Sequence, residues 1–329
     1  MTDTVLTFAE IEPDGGLADT SRRALTFARR LADAEVADLH AATIGAPSPQ
    51  AVDAIADQGV AVVHAATHPL LSDYAPQAWA EALGQLLAST APRAVVAAGT
   101  NRGGEVMANL AARTYLPLAA NVTEVAPDGD GWLLTRLRWG GVLLEDARLE
   151  AATALMTAAP HHTVAEPAAS PGGAAVTVFA PDLDDTLAAT RVRERATRSE
   201  GIGLATAKVV VSGGRGVGSA EGFTILEELA SLLDGAVGCS RVATNNGWRS
   251  HNDQVGQTGT RVAPDLYIAC GISGATQHWV GCMSSKRILA INTDAEAPMV
   301  TRAHYAVIGD LHDLLPALVA EVRSRKGVA

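Results

Sequence analysis

The feature that most constrains the fold is the alternation of short apolar runs with stretches of helical periodicity along most of the chain. In the first half, strand-like runs at 5–9, 36–42, 60–65 and 94–98 are separated by helix-like stretches at 21–32, 51–58 and 77–88. Strands that alternate with helices describe βαβ units, and so a mostly parallel sheet covered by helices. Thr20/Ser21 and Ser72/Asp73 supply helix-start signals, and Gly59 separates a helix from the next strand.

The pattern changes between 119 and 157. Strand-like runs at 122–125, 132–139 and 142–149 flank the turn Pro127-Asp128-Gly129-Asp130-Gly131 and the pair Gly140-Gly141. They predict an antiparallel excursion that closes a first domain, with a last strand at 154–157. The Pro/Gly/Ser/Ala-rich stretch from Pro160 to Gly173 then marks a boundary. The 329 residues are twice the ~150 usual for one domain. We therefore expect an N-terminal α/β domain at 1–165, a connector at 166–200 and a C-terminal domain at 201–329. The connector holds a short strand at 176–179 and a charged run with Arg191, Arg193, Glu194, Arg195 and Arg198, read as a solvated face.

Alternation resumes at Lys208. Five strand candidates follow, at 208–211, 236–238, 266–269, 288–291 and 306–308. Each runs into glycine or polar residues: Ser212-Gly213-Gly214-Arg215-Gly216, Ser240-Arg241, Gly271-Ile272-Ser273-Gly274, Asn292 and Asp310. In an open parallel sheet ligands bind outside the carboxyl ends of the strands, so five such ends predict a cofactor crevice. The glycines of 213–218 and 271–274 precede helical stretches at 222–233 and 275–281, where helix amides would face an anion. Strand-to-helix turns also use glycine for purely steric reasons.

Several chemistries are excluded by spacing. Neither Gly-x-Gly-x-x-Gly at 213–222 nor a P-loop is present, and Ser240-Arg241 stands where a nicotinamide-dinucleotide unit carries its ribose-binding acid. The run Gln254-Val255-Gly256-Gln257-Thr258-Gly259 is either an ordinary surface loop or a set of donors and acceptors for a flat heterocycle. His278, taken alone, reads as structural. A net charge of −11 speaks against nucleic acid as a partner. Cys239, Cys270 and Cys282 have neither disulfide-framework nor zinc spacing. No apolar run reaches the ~20 residues of a membrane span, no signal or transit pattern opens the chain, and the preference for Arg over Lys with much Ala points to a bacterial cytoplasm. Hydrolytic triads and metalloprotease motifs are missing. What remains is a nucleotide-cofactor crevice with a positive charge nearby and no group poised for acid–base work.

The strings Val209-Val210-Val211-Ser212-Gly213-Gly214-Arg215-Gly216, Gly238-Cys239-Ser240-Arg241, Gln254-Val255-Gly256-Gln257-Thr258-Gly259, Ala263-Pro264-Asp265-Leu266-Tyr267-Ile268-Ala269-Cys270-Gly271-Ile272-Ser273-Gly274-Ala275-Thr276-Gln277-His278, Ala290-Ile291-Asn292 and Glu296-Ala297-Pro298 closely resemble, in that order, the α subunit of electron transfer flavoprotein. The resemblance is strongest over 208–310 and is one of layout in the first half. It implies an α/β protein of two domains, each with a mostly parallel sheet flanked by helices, the C-terminal one a doubly wound, Rossmann-like FAD-binding fold. It further implies one FAD, and a heterodimer in which the N-terminal domain packs on a β subunit that holds AMP. The function implied is that of a redox carrier rather than an enzyme with its own substrate. Such a carrier takes electrons from acyl-CoA and related dehydrogenases of fatty acid β-oxidation and passes them to a quinone oxidoreductase, without inserting into the membrane.

Carried over by motif position, the resemblance assigns FAD to Arg215, Ser240, Arg241, Gln254, Val255, Gly256, Gln257, Thr258, Ser273, Gly274, Ala275, Thr276, Gln277, His278, Asn292, Asp310 and Leu311, with no metal. Ser240, Ser273 and the amides after Gly271 suit the pyrophosphate, Asn292 and Asp310 the adenosine end, and Arg241, Thr258 and His278 the isoalloxazine. A guanidinium beside the ring favours the negatively charged reduced flavin. The chain departs from the family at Trp248–Asp253, at Trp279, and at Asn292-Thr293-Asp294, which lacks the family's usual lysine. Two alternatives stand beside it. A free-standing NAD- or FAD-dependent oxidoreductase would need an acid or base near the crevice, and an assembly subunit would leave the crevice vacant.

Overall fold

The structure is a computed structural model that describes residues 3–192 and 202–327. The chain divides into two units, Met1–Arg195 and Ala196–Ala329. The part of the charged run at 193–200 lies outside the described residues.

In the first unit, β1 (Thr4–Phe8), β2 (Asp38–Ile44), β3 (Val62–Ala66) and β4 (Ala94–Ala98) alternate with α1 (Asp19–Glu35), α2 (Pro49–Ala56) and α3 (Pro76–Thr90), and α4 (Asn101–Thr114) follows. The excursion comprises β5 (Leu118–Asp128), β6 (Gly131–Arg138) and β7 (Leu143–Glu150), and β8 (Ala154–Ala158) and β9 (Ala175–Phe179) complete the sheet. Among the described residues the strand order is β7-β6-β5-β8-β4-β1-β2-β3-β9. The strand pairs are parallel except β5/β6 and β6/β7, because β6 alone runs against the rest of the sheet. Successive strand residues point to opposite faces. Val5, Leu39, Val63 and Val96 meet Leu25, Ala28 and Leu31 of α1 on one face, while Leu6, Phe8, Val95 and Ala97 meet Leu83 of α3 and Met107 and Leu110 of α4 on the other.

Three local details differ from expectation. Helix α4 was hidden by Gly103 and Gly104, which are poor helix formers. Thr100 caps it, its hydroxyl accepting from Gly103 N–H at 2.8 Å, and a Cβ on Gly103 would lie 2.1 Å from the Ala98 carbonyl oxygen. Glycine is there because the helix starts against the strand end. Helix α1 begins before the Thr20/Ser21 signal, and the Ser21 hydroxyl accepts from Glu10 N–H instead. Helix α3 begins with Pro76, beyond Ser72/Asp73.

The connector expected at 166–200 also differs, because its first part is built into the first unit. Ala168 N–H donates to the Asp57 carbonyl at 2.7 Å, Arg29 donates to the Glu166 carbonyl at 2.9 Å, and β9 pairs in parallel with β3. Pro/Gly composition marks a segment without regular structure, not one without partners.

The second unit is one parallel sheet. Its elements are β10 (Val209–Gly213), α5 (Thr224–Leu232), β11 (Ala236–Cys239), α6 (Arg241–Asn245), β12 (Leu266–Cys270), α7 (Thr276–Cys282), β13 (Arg287–Asn292), α8 (Pro298–Arg302), β14 (Tyr305–Ile308) and α9 (Leu311–Lys326). Val211, Ile268 and Ile291 pack under Leu226 and Leu229 of α5 and Leu315 and Val319 of α9. Val210, Tyr267, Ala269 and Ile288 pack on the other face with Val255, Cys282 and Met299. The order β11-β10-β12-β13-β14 reverses direction between β10 and β12. This is the doubly wound arrangement, and the reversal opens a crevice at the carboxyl ends.

No helix among the described residues is long and apolar enough to cross a membrane. None of their His, Cys, Asp and Glu side chains form a group of three or more that could hold a metal ion.

His40 on β2 and His64 on β3 are half-buried, with Nδ1 of one 3.1 Å from Nε2 of the other. Burial lowers both pKa values; Asp38 opposes this at His40, and His40 adds to it at His64. An unfolded histidine titrates near ~6.5. As pH falls through that value the unfolded chain binds protons that the folded unit refuses, so stability falls. Thermal melting followed by circular dichroism should show a lower midpoint at about pH 5.5 than at about pH 7.5, and the His40→Gln/His64→Gln variant should lose part of that difference.

Candidate functional site

The strand ends of the second unit surround a cavity of about 640 Å³. That is within the range of a small-molecule or cofactor site. Its floor is backbone packed on backbone at the switch point. Gly214 N–H donates to the Cys270 carbonyl at 2.9 Å and Gly216 N–H to the Gly271 carbonyl at 3.1 Å. A Cβ on Gly214 would lie 2.4 Å from the Gly271 oxygen, and one on Gly216 would lie 2.8 Å from the Gly271 Cα. At Gly274, φ is +81° and a Cβ would meet the Met299 backbone nitrogen at 2.3 Å. These glycines are required sterically whatever the cavity holds.

Ser240 follows β11 in the N-cap position of α6, with extended φ and ψ, yet its hydroxyl caps nothing. The Oγ is buried without a hydrogen-bond partner. A buried orphan hydroxyl at a cavity wall is satisfied when a ligand oxygen meets it. Arg215 and Arg241 also line the cavity and are exposed, and among the described residues neither closes an ion pair. Asp294 and Asp310 line it too, and Asp310 caps α9 by accepting from His312 N–H at 2.9 Å. The cavity thus carries both cationic and acidic side chains.

Asn292 ends β13. Its Nδ2 donates to the Ile272 carbonyl and its Oδ1 accepts from Asp294 N–H, both at 3.1 Å, so the amide ties two cavity loops together. His278 lies in α7, 7 % exposed. Its Nε2 is 2.8 Å from the Tyr267 hydroxyl. Burial pushes its pKa down to about 4, which the Val255 carbonyl partly opposes without closing a hydrogen bond to Nδ1. The imidazole is neutral at physiological pH.

Of the residues singled out in the sequence, Arg215, Ser240, Arg241, Ser273, Gly274, Ala275, Gln277, His278, Asn292, Asp310 and Leu311 line the cavity, and Thr276 and the run 254–258 do not. Gln254 is buried between Thr244 and Thr258, at 2.9 Å from each hydroxyl. Gln257 N–H donates to the Gln277 carbonyl at 2.7 Å, which seats the loop on α7, and the Gln257 and Thr258 side chains are exposed beside the rim. The expected aim of α5 at the ligand also differs. Two short 3₁₀ turns, Arg215–Val217 and Glu221–Phe223, precede that helix, and no residue of it reaches the cavity. Thr293, Asp294 and His312 also line the cavity and were missed, although Thr293 and Asp294 lie within two residues of Asn292 and His312 directly follows Leu311, both of which were chosen.

The departures noted in sequence serve local packing. Arg302 stacks on Trp279 at 5.5 Å, and Arg249 pairs with Glu227 and Asp253. In the first unit, the crevice beside the ends of β4 and β8 holds about 20 Å³, too small for a nucleotide. Asn101-Arg102-Gly103-Gly104, a glycine-containing string beside that crevice, forms the first turn of α4.

Residues 203–283 match the family model described as the electron transfer flavoprotein FAD-binding domain, and residues 5–185 match that of the electron transfer flavoprotein domain. The chain is 38% identical over 316 residues to the electron transfer flavoprotein subunit alpha of Mycobacterium tuberculosis, covering 95% of this chain and 96% of the relative. It is 34% identical over 322 residues to the subunit of that name in Thermoanaerobacterium thermosaccharolyticum, covering 97% of each. It is also 34% identical over 332 residues to protein FixB of Bradyrhizobium diazoefficiens, covering 98% of this chain and 89% of that one. Two family models that together span most of the chain, and relatives matched over nearly their full length, agree with the cavity and the sheet order: the chain belongs to the electron transfer flavoprotein α subunit family.

Proposed function

We propose that this chain holds one FAD in the cavity of its second unit, pairs with an AMP-holding β subunit, and relays electrons in the cytoplasm from acyl-CoA and related dehydrogenases towards a quinone oxidoreductase. The observation that carries it is the buried, unpartnered Ser240 hydroxyl in the wall of a cavity that Arg215 and Arg241 also line, neither of them in an ion pair among the described residues. That donor set fits a pyrophosphate. Bound FAD supplies the redox chemistry, and the protein positions it and sets its electrostatics.

Ser240, Ser273 and the backbone beyond Gly271 hold the pyrophosphate. Asn292 acts by holding the walls at the adenosine end, where Asp310 and Asp294 accept hydroxyl protons. Arg241 stands at the isoalloxazine and stabilises added negative charge there, while His278, being neutral, contributes no charge of its own. Gln257 and Thr258, exposed on the loop seated against α7, would offer polar groups to the isoalloxazine. Pairing with a β subunit is supported by the large apolar side chains left exposed on the antiparallel excursion, Trp139, Val142, Leu143 and Leu144, since clustered exposure of large apolar groups favours an interface.

Co-expression with the β subunit should give one FAD per heterodimer by visible absorption. A colourless complex, or steady reduction by NADH with no other protein, would favour an oxidoreductase with its own substrate. Ser240→Ala should weaken FAD binding about tenfold by titration, the effect of one hydrogen bond to a charged group. Arg241→Ala should make the flavin midpoint potential more negative in a spectroelectrochemical titration, with Arg241→Lys between the two, because loss of the cation disfavours the reduced anion.

A further inference from the structure

The two carboxylates that line the cavity repeat one arrangement. Strands β13 and β14 pair in parallel with Asn292 opposite Ile308, and Gly309 N–H donates to the Asn292 carbonyl at 3.0 Å. Asp294 and Asp310 each stand two residues beyond that last pair, and both line the cavity. In each, Oδ1 accepts from the backbone N–H two residues on, that of Glu296 at 2.9 Å and that of His312 at 2.9 Å. The backbone of Asp294 is also held, its own N–H donating to Asn292 Oδ1 at 3.1 Å. Among the described residues Oδ2 of neither carboxylate closes a hydrogen bond or an ion pair.

The sheet order sets where these groups are attached. In the order β11-β10-β12-β13-β14, Ser240 and Arg241 follow β11 and Arg215 follows β10, on one side of the switch point, whereas Asp294 and Asp310 follow β13 and β14 on the other. Neighbouring strands lie ~4.8 Å apart, so the guanidinium and carboxylate side chains spring from backbones roughly 10–19 Å from one another. The Ser240 hydroxyl, buried and unpartnered at the wall of this cavity, points to a ligand oxygen on the β11 side. A dinucleotide whose pyrophosphate meets it can therefore extend along the strand ends towards Asp294 and Asp310.

In a nicotinamide-dinucleotide unit an acid after the second strand takes a ribose hydroxyl, and an arginine nearby accommodates a ribose phosphate. Here Ser240-Arg241 follows the second strand of the unit, and the acids follow its last two strands. An ionised carboxylate only accepts hydrogen bonds. A hydroxyl satisfies it, whereas a phosphate offers it no proton and repels it. Thr293, which also lines the cavity, adds no charge between Asn292 and Asp294.

We propose that Asp294 and Asp310 are a specificity-determining pair, which admits dinucleotides whose adenosine ribose carries free hydroxyls and rejects those with a phosphate on that ribose. The cavity thereby separates FAD from the 2′-phosphorylated nicotinamide dinucleotide and from coenzyme A, whose adenosine ribose is phosphorylated at the 3′ position. Asp294 is the member of the pair that the motifs did not assign.

This specificity rests on the FAD-binding role given above, and the test separates the two. The full chain is titrated by calorimetry with ADP-ribose against 2′-phospho-ADP-ribose, and with dephospho-coenzyme A against coenzyme A, at about pH 8, above the ordinary titration range of histidine. Each pair shares the adenosine pyrophosphate and differs by one phosphate on the adenosine ribose. The unphosphorylated member of each pair should bind at least about tenfold more tightly. Asp294→Asn, which keeps an acceptor for Glu296 N–H, should narrow both ratios several-fold, chiefly by tighter binding of the phosphorylated member, and Thr293→Lys should narrow them further. Equal affinities within both pairs in the wild type, or wild-type ratios in both variants, would overturn the proposal. FAD uptake by the same preparations is read by visible absorption. A chain that takes up FAD without the expected ratios overturns the specificity alone, and one that shows the ratios but takes up no FAD supports the ribose-reading pair and overturns the FAD-binding role instead.

Discussion

The second unit depends on the close approach of two strand ends. Where β10 and β12 separate, their backbones pass within hydrogen-bond distance beyond the sheet, and Gly214, Gly216 and Gly271 leave no room for a Cβ between them. This contact forms the cavity floor and fixes where the loops after β11 and β13 stand relative to it. The positions of the Ser240 hydroxyl, the Asn292 amide and the His278 ring all follow from it. A parallel sheet must reverse its winding direction somewhere to be covered on both faces, and here the reversal is made tight by glycine.

Around that floor the cavity carries both signs of charge. Arg215 and Arg241 close no ion pair among the described residues, and Asp294 and Asp310 line the same cavity. Cations suited to an anion and carboxylates suited to hydroxyl donors are thus both offered to a ligand. The buried groups are neutral by comparison. The thiols of Cys239, Cys270 and Cys282 are pushed up to about 12 and His278 down to about 4. Within the cavity wall, the permanent charges are those of exposed side chains.

Much of this was legible in the sequence, for identifiable reasons. Strands β10, β12 and β13 are nearly continuous apolar runs, as strands buried on both faces must be, and Arg215, Gly271 and Asn292, at or just beyond their ends, line the cavity. Less legible was whatever depends on contacts distant in sequence. The role of Gly103 is set by the Ala98 carbonyl, so α4 looked like a loop. Ala175–Phe179 reads as a stray strand until β3 offers its edge. Gln254 has the composition of a ligand contact but is held by Thr244 and Thr258. The tyrosine beside His278 lies on another strand, and nothing in the spacing of positions 267 and 278 announces that they meet.

The Asn292 amide has a kinetic consequence. By holding the loop after β12 and the loop after β13 at once, it keeps that end of the cavity assembled before any ligand arrives. Binding then freezes few additional rotors, and the entropy of association is set mainly by the ligand's own loss of freedom. The same cross-tie resists opening, so escape from that end has to wait for two loops to part together. A group held this way exchanges slowly with solution and behaves, over many turnovers, as a permanent part of the molecule.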